Sequence, residues 1–384
     1  MLGYWYYLIE DPSMIYDGHA YCFPDLRGDG GFERREDFQK HLQLGISQHF
    51  QPVWKKNDRT PSDNSGLADP EKGWSFEGLK KVDFRAASNG RFEWTVDGED
   101  FVKQYTPPSL FDMSYPPDRL IAEMDYAGVD RALLHRTPYL GIGNEFIGNC
   151  VRSYPDRLQG LAHVEEWKIQ TEPDLSIKKL ESAIKDFQLS GLQFIPDRLL
   201  LYGETEDWTS PGFKPFWDAL VNYGIPIFIT PSYNSLQGDT LDPFLEELRR
   251  ISRWMDIYKD VPVVLTHGLG WRSFIQGNSV VIPEEVYEAL PVSNPNFHMQ
   301  ILFAIFLGGL WEYPMLEIQP TLKELVERFG VNRLQWGTDI PMVMRFYTYK
   351  QNLTHIQRVS SFLKDSEIAL ITGGNIARVL GVEG

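Results

Sequence analysis

The sequence predicts an α/β fold in which eight parallel strands close into a (β/α)8 TIM barrel, interrupted by a long insertion after the first strand. Three observations carry that expectation. Short apolar runs alternate with amphipathic segments from about residue 116 onward, the pattern of repeated βαβ units. Eight such runs can be counted, which suits a closed barrel better than an open sheet. Polar side chains able to do chemistry stand at the carboxyl ends of several runs, and barrels of this kind build their sites on that face.

Taken in order, the first strand is expected over 14–19, where Met14-Ile15-Tyr16 leads into Asp17-Gly18-His19. The others follow at 129–135, 158–164, 191–195, 225–230, 261–267, 297–302 and 334–339. Helices are expected between them over 176–187, 213–223, 243–258 and 321–329, from apolar residues near helical spacing. Residues 24–115 break the rhythm, with Asp, Gly, Pro and Lys concentrated around 55–73, and read as an insertion within one domain spanning 1–384. Inside it, 82–87, 91–96 and 100–105 are separated by Asn89-Gly90 and Asp97-Gly98, dipeptides that favour the tight turns of hairpins. A small antiparallel meander is therefore expected, acting as a lid, an interface arm or a plain surface loop.

With 384 residues, 42% of them hydrophobic, the chain can bury a large core. A formal charge of −16 opposes any phosphate backbone, so no nucleic-acid partner is expected. Cys22 and Cys150 form neither a CxxC pair nor a disulfide framework, which fits a reducing cytoplasm. The opening Met1-Leu2-Gly3-Tyr4 has no basic flank of a secretory signal. The longest apolar stretch, 301–311, falls short of the ~20 residues a bilayer needs, so a soluble protein without a membrane partner is expected.

His19, His267 and Asp339 stand at the expected carboxyl ends of the first, sixth and eighth strands. Imidazole and carboxylate are natural ligands for zinc, iron or manganese. Singly, each has a plainer explanation: a histidine at a strand end is commonly a hydrogen-bonded core residue, and Asp339 before Ile340-Pro341 suits a turn. Their joint placement points to a metal site.

The motifs around these residues resemble those of the amidohydrolase superfamily. Asp17-Gly18-His19-Ala20-Tyr21 resembles its opening metal motif, Val263-Val264-Leu265-Thr266-His267-Gly268 its sixth-strand histidine, and Leu334-Gln335-Trp336-Gly337-Thr338-Asp339-Ile340-Pro341 its last-strand aspartate. Gly374-Asn375-Ile376-Ala377-Arg378 is similar to its closing helix. Tyr154-Pro155-Asp156-Arg157-Leu158 and Tyr223-Gly224-Ile225-Pro226-Ile227 are similar to the branch that includes aminocarboxymuconate-semialdehyde decarboxylase and γ-resorcylate decarboxylase. The resemblance implies hydrolysis or decarboxylation of a small polar or carboxylate substrate. It also implies a divalent cofactor, zinc first with manganese or iron as alternatives, with Asp339 and His267 as the catalytic pair.

There are departures from the family pattern. Tyr21 stands where a second histidine is usual, Asp197 is the nearest equivalent of a fourth-strand histidine, and Thr230 replaces the fifth-strand histidine. A hydroxyl is a poor ligand beside an imidazole, so at most one tightly held ion is expected, with Asp197, Tyr21 or a carboxylate of Glu165-Glu166 completing its shell. Tyr21, Arg136, His163 and Thr230 are expected on the substrate side, with His135 beside them and Arg136 as a bidentate partner for a carboxylate. His298 reads as packing, and His41, His49 and His355 receive no role. The aromatics Trp5-Tyr6-Tyr7, Trp54 and Trp94 suit a core or an interface better than a pocket wall.

The missing ligands also suit a second reading. The chain resembles the partner subunit of the two-subunit α-aminoisobutyrate hydroxylase, a metal-binding partner of a homologous barrel holding a manganese/iron pair. A homo-oligomer, or a hetero-oligomer with such a barrel, is expected accordingly. A third reading is a barrel that binds a small molecule without turnover.

Overall fold

In the computed structural model, which describes residues 13–232 and 240–382, the eight apolar runs pair into one sheet. Trp5-Tyr6-Tyr7 lies outside the described residues. The barrel strands are β1 (Tyr16–Ala20), β2 (Arg131–Leu134), β3 (Leu158–His163), β4 (Gly191–Phe194), β5 (Ile227–Ile229), β6 (Val263–Leu265), β7 (Phe297–Gln300) and β8 (Leu334–Gln335). They are parallel and neighbour one another in sequence order. The ring closes between β8 and β1: Gly18 N donates to Trp336 O at 3.1 Å and Tyr21 N to Ile340 O at 2.9 Å. The fold is thus a (β/α)8 barrel.

Nearly every strand residue is buried, as expected when a parallel sheet is covered on both faces. Tyr16, Leu133, Leu161, Phe228 and Val264 pack together with Ile376 and Ala377 of the closing helix, so the amino-terminal half of the lumen is filled core. Polar groups are left to the carboxyl-terminal layer. The helices expected from periodicity form over Pro173–Lys185, Lys214–Tyr223, Asp242–Ile257 and Gln319–Phe329. Each carries proline in its first turn, where the missing N–H removes no helical bond.

Between β1 and β2 the expected meander forms, as Arg85–Ala86, Arg91–Val96 and Glu99–Gln104. Asn89, Gly90, Asp97 and Gly98 all take positive φ, as the tight turns require. Two short strands the sequence did not suggest, Val53–Lys55 and Pro61–Ser62, extend the sheet to five. The larger correction is a 14-residue helix, α1 (Arg35–Gln48), in a stretch read as irregular. Its buried face mixes Phe38, Leu42 and Ile46 with His41, Gln43 and Ser47, so polar residues interrupt the apolar stripe that would have announced it. Lys103, fully buried on the sheet, donates to Ile46 O and His49 O at the end of α1 and to Asn64 Oδ1. The cation thereby satisfies carbonyls that a helix leaves open at its carboxyl end. No helix among the described residues is long and apolar enough to cross a membrane.

Candidate metal centre and pocket

The centre is assembled where β8 closes onto β1. Asp17, fully buried, accepts from His19 N at 2.9 Å, Thr338 N at 3.1 Å, Thr338 Oγ1 at 2.6 Å and Tyr349 OH at 2.9 Å. One carboxylate therefore sets the backbone on either side of both His19 and Asp339. Burial outweighs these hydrogen bonds and pushes its pKa up to about 7.

Gln300 on β7 fixes the first imidazole. Its Nε2 donates to Gly18 O at 2.6 Å, which turns its Oε1 toward His19 Nδ1 at 2.7 Å. An amide oxygen only accepts, so Nδ1 carries the proton and the Nε2 lone pair faces the centre. His135 stacks flat on His19, with centroids 3.6 Å apart, and its Nε2 lies 2.9 Å from Gly18 O. Burial, together with the neighbouring His135 and His267, holds His19 well below the usual histidine range, so it is a neutral donor.

His267 and Asp339 follow their strands in left-handed conformations, with φ of 61° and 63°. Such residues are strained and turn their side chains sharply over the strand ends. Gly268 after His267 has φ of 83°, and a Cβ there would sit 2.0 Å from the Trp271 ring. In consequence Asp339 Oδ1 lies 3.1 Å from His267 Nε2 and 3.4 Å from His19 Nε2, and one ligand atom from each of the three residues falls within 4.8 Å of the others. Tyr21 OH stands 3.0 Å from His19 Nε2, its phenol kept protonated by burial and by Asp339.

Above this cluster opens a cavity of about 300 Å³. Its aromatic wall includes Tyr21, Trp74, Tyr105, Tyr139 and Phe306, and three guanidiniums, Arg198, Arg272 and Arg345, share it with only two carboxylates, Asp197 and Asp339, among the described residues. Arg198 lies over Trp74 at 4.9 Å, Arg272 over Phe50 at 4.1 Å, and Arg345 is anchored by Tyr105 O at 2.7 Å and Met342 O at 2.9 Å. A positive chamber in a chain of net charge −16 suits a small anion.

The structure brings His19, His267 and Asp339 together and sets Tyr21 against them. Asp197 is on the pocket wall, 3.6 Å from Arg198 Nε, outside the three-residue cluster. Thr230 lines the pocket, its hydroxyl 2.7 Å from that of Thr266. Arg136 departs from the role expected of it: it is fully buried away from the cavity lining, donates to Cys22 O at 3.2 Å and packs over Phe146. These contacts hold the long side chain behind the wall.

His163 is also set back, 3.8 Å from the buried Glu166, with its backbone paired to Asn144. Glu165 pairs with Lys179 and Glu166 accepts from Ile195 N, so both carboxylates are used outside the cluster. Trp94 is core. Sequence reasoning missed the three arginines, Trp74, Tyr105 and His49. The arginines follow expected strand ends, but each stands in a short helical connection without an apolar pattern to mark it.

The profile of the amidohydrolase family matches residues 100–382. The chain belongs to that family. Among solved structures, this amidohydrolase is similar to a probable 2-pyrone-4,6-dicarboxylic acid hydrolase from Acinetobacter baumannii with citric acid bound, at 18% identity and TM-score 0.53, covering 70% of this chain and 90% of the other. An amidohydrolase from Burkholderia multivorans is similar at 16% identity and TM-score 0.54, over 71% and 90% of the two chains. A dihydroxybenzoic acid decarboxylase from Polaromonas with bound manganese is similar at 15% and 0.50, over 70% and 87%. Likeness at these identities establishes the barrel fold. No curated protein matches the chain.

The donor set of this amidohydrolase fits the divalent ion on which its family depends. Two histidines and a carboxylate offer one donor atom each at one point. The tautomer of His19 is already fixed by a hydrogen bond on its other nitrogen, as histidine ligands generally require.

Proposed function

We propose that this amidohydrolase is a metal-dependent enzyme that hydrolyses or decarboxylates a small carboxylate substrate. The observation that carries the reading is the convergence of His19, His267 and Asp339 on the floor of a pocket walled by aromatic rings and three arginines. Zinc is the ion that two imidazoles and a carboxylate favour, with manganese the alternative. A divalent ion held there supplies Lewis acidity toward an oxygen atom in the pocket.

The residues of the chain divide the remaining work. Arg198, Arg272 and Arg345 hold and orient the substrate carboxylate, and the aromatic wall excludes water. Asp339, poised between two imidazoles and facing the cavity, takes a proton from an attacking water or returns one to carbon after carbon dioxide leaves. Tyr21 donates from a phenol that stays neutral.

The test is a screen of the purified, zinc- or manganese-supplemented protein against small aromatic and aliphatic carboxylates and their amides and lactones, following carbon dioxide release and ring or amide opening separately. Turnover is expected in one of the two channels. It should be abolished in Asp339→Asn, whereas Arg345→Met should raise KM at least tenfold. Binding of these anions that is indifferent to Arg198, Arg272 and Arg345 would remove the support for a carboxylate substrate.

A further inference from the structure

We propose that the insertion supplies a specificity-determining residue of this pocket, His49, whose Nε2 accepts a hydrogen bond from a substrate hydroxyl. The proposal rests on the reading of the cavity as a carboxylate-binding substrate site.

His49 follows the last residue of α1 and lines the cavity beside Gln48 and Phe50. These residues lie in the insertion between β1 and β2, before the part of the chain that the family profile matches. The imidazole Nδ1 faces Gly45 O, one turn back in α1. A carbonyl can only accept, so Nδ1 carries the proton and Nε2 presents its lone pair. The hydrogen bond of the ring among the described residues is the one through Nδ1, and His49 is one of the residues that line the cavity.

The ring is also held in place. Tyr105 and Tyr139 meet it edge-on, with centroids 4.5 Å and 5.9 Å away, which fixes its plane. Its backbone is fixed by Lys103, which donates to both His49 O and Ile46 O. Lys103 comes from the strand Glu99–Gln104, so the meander clamps the end of α1 at the residue that enters the pocket. A fully buried ammonium is costly to keep and is used here to immobilise one turn of backbone. Burial, with Lys103, Arg345 and Arg198 close by, holds the imidazole neutral, its pKa lowered to about 3. Near neutrality His49 is therefore an acceptor, in a chamber that also holds three guanidinium donors. A ligand whose carboxylate engages the arginines and whose hydroxyl reaches Nε2 satisfies both, and an analogue without the hydroxyl leaves the acceptor unpaired.

The probes are benzoate and its three monohydroxy isomers, titrated calorimetrically into the full chain and into His49→Phe and His49→Gln, with thermal melts confirming that each variant folds. At least one hydroxy isomer is expected to bind about tenfold tighter than benzoate. His49→Phe should erase that gain while leaving benzoate within twofold, and His49→Gln, which keeps an acceptor, should restore part of it. In the wild type, the ¹⁵N resonance of His49 Nε2 should move on binding the favoured isomer and not on binding benzoate. A gain that survives in His49→Phe, or equal losses for benzoate and the hydroxy isomers, would overturn the proposal and leave the carboxylate site standing. Failure of all four probes to bind the wild type would overturn both.

Discussion

Two residues, His267 and Asp339, are held at positive φ where neither is a glycine, at a cost of about 1–3 kcal/mol each. Asp339 N donates to His19 O at 2.8 Å, so the strain at one member of the cluster is secured by the backbone of another. Thr230 occupies the remaining place of interest, with its hydroxyl engaged by Thr266. Thr230→Val is therefore expected to leave the metal content after dialysis nearly unchanged, whereas His267→Ala should lower it at least tenfold, as elemental analysis would measure. Two equivalents in the wild type, with one lost in Thr230→Val, would make the hydroxyl a ligand. At this scale, the strand-end positions of His19, His267 and Asp339 were legible because a barrel sends strand ends to one face. Arg198, Arg272, Arg345 and His49 lie in connections without periodicity, and Arg136 shows that a strand-end position alone does not say whether a long side chain turns into the pocket or behind it.

At the scale of elements, the loops after neighbouring strands are tied by single buried groups. Glu166, just beyond β3, accepts from Ile195 N just beyond β4 at 2.9 Å. Burial raises its pKa to about 8. In the unfolded chain a glutamate titrates near ~4.3, so between about pH 4.5 and 8 the native state holds the extra proton, and its stability falls as pH rises through that window. Glu166→Gln keeps the accepting oxygen and does not titrate. The variant is expected to lose less stability than the wild type from pH 5 to 8.5, a difference on the order of 1–3 kcal/mol, measured by denaturant unfolding across that range. Parallel stability curves would contradict the assignment. The insertion marks the limit of pattern reading: its hairpins announced themselves through Asn89-Gly90 and Asp97-Gly98, whereas α1 buries His41, Gln43 and Ser47 and so carries no clean apolar stripe.

At the scale of the molecule, all eight barrel strands were readable because parallel strands buried on both faces appear as apolar runs separated by helical patterns. The count of eight pointed to a closed ring, but the contacts that close it were not visible in the pattern. Closure depends on Asp17, which joins β1 to the residues after β8, and on Gly337, where a Cβ would approach the His19 Cβ to 2.8 Å. That seam is also where the candidate centre forms, so the contacts that complete the barrel position the ligands. Around it the chain sets a chamber with three arginines inside a body of net charge −16, and the insertion contributes Trp74, Tyr105 and His49 to its wall. The central claim is that His19, His267 and Asp339 hold one divalent ion at this seam. X-ray absorption on the zinc-loaded protein tests it most directly. The account predicts one zinc per chain with two imidazole nitrogens at about 2.0–2.1 Å, and loss of one imidazole contribution in His19→Ala. A shell without imidazole, or one unchanged in His19→Ala and His267→Ala, would contradict it.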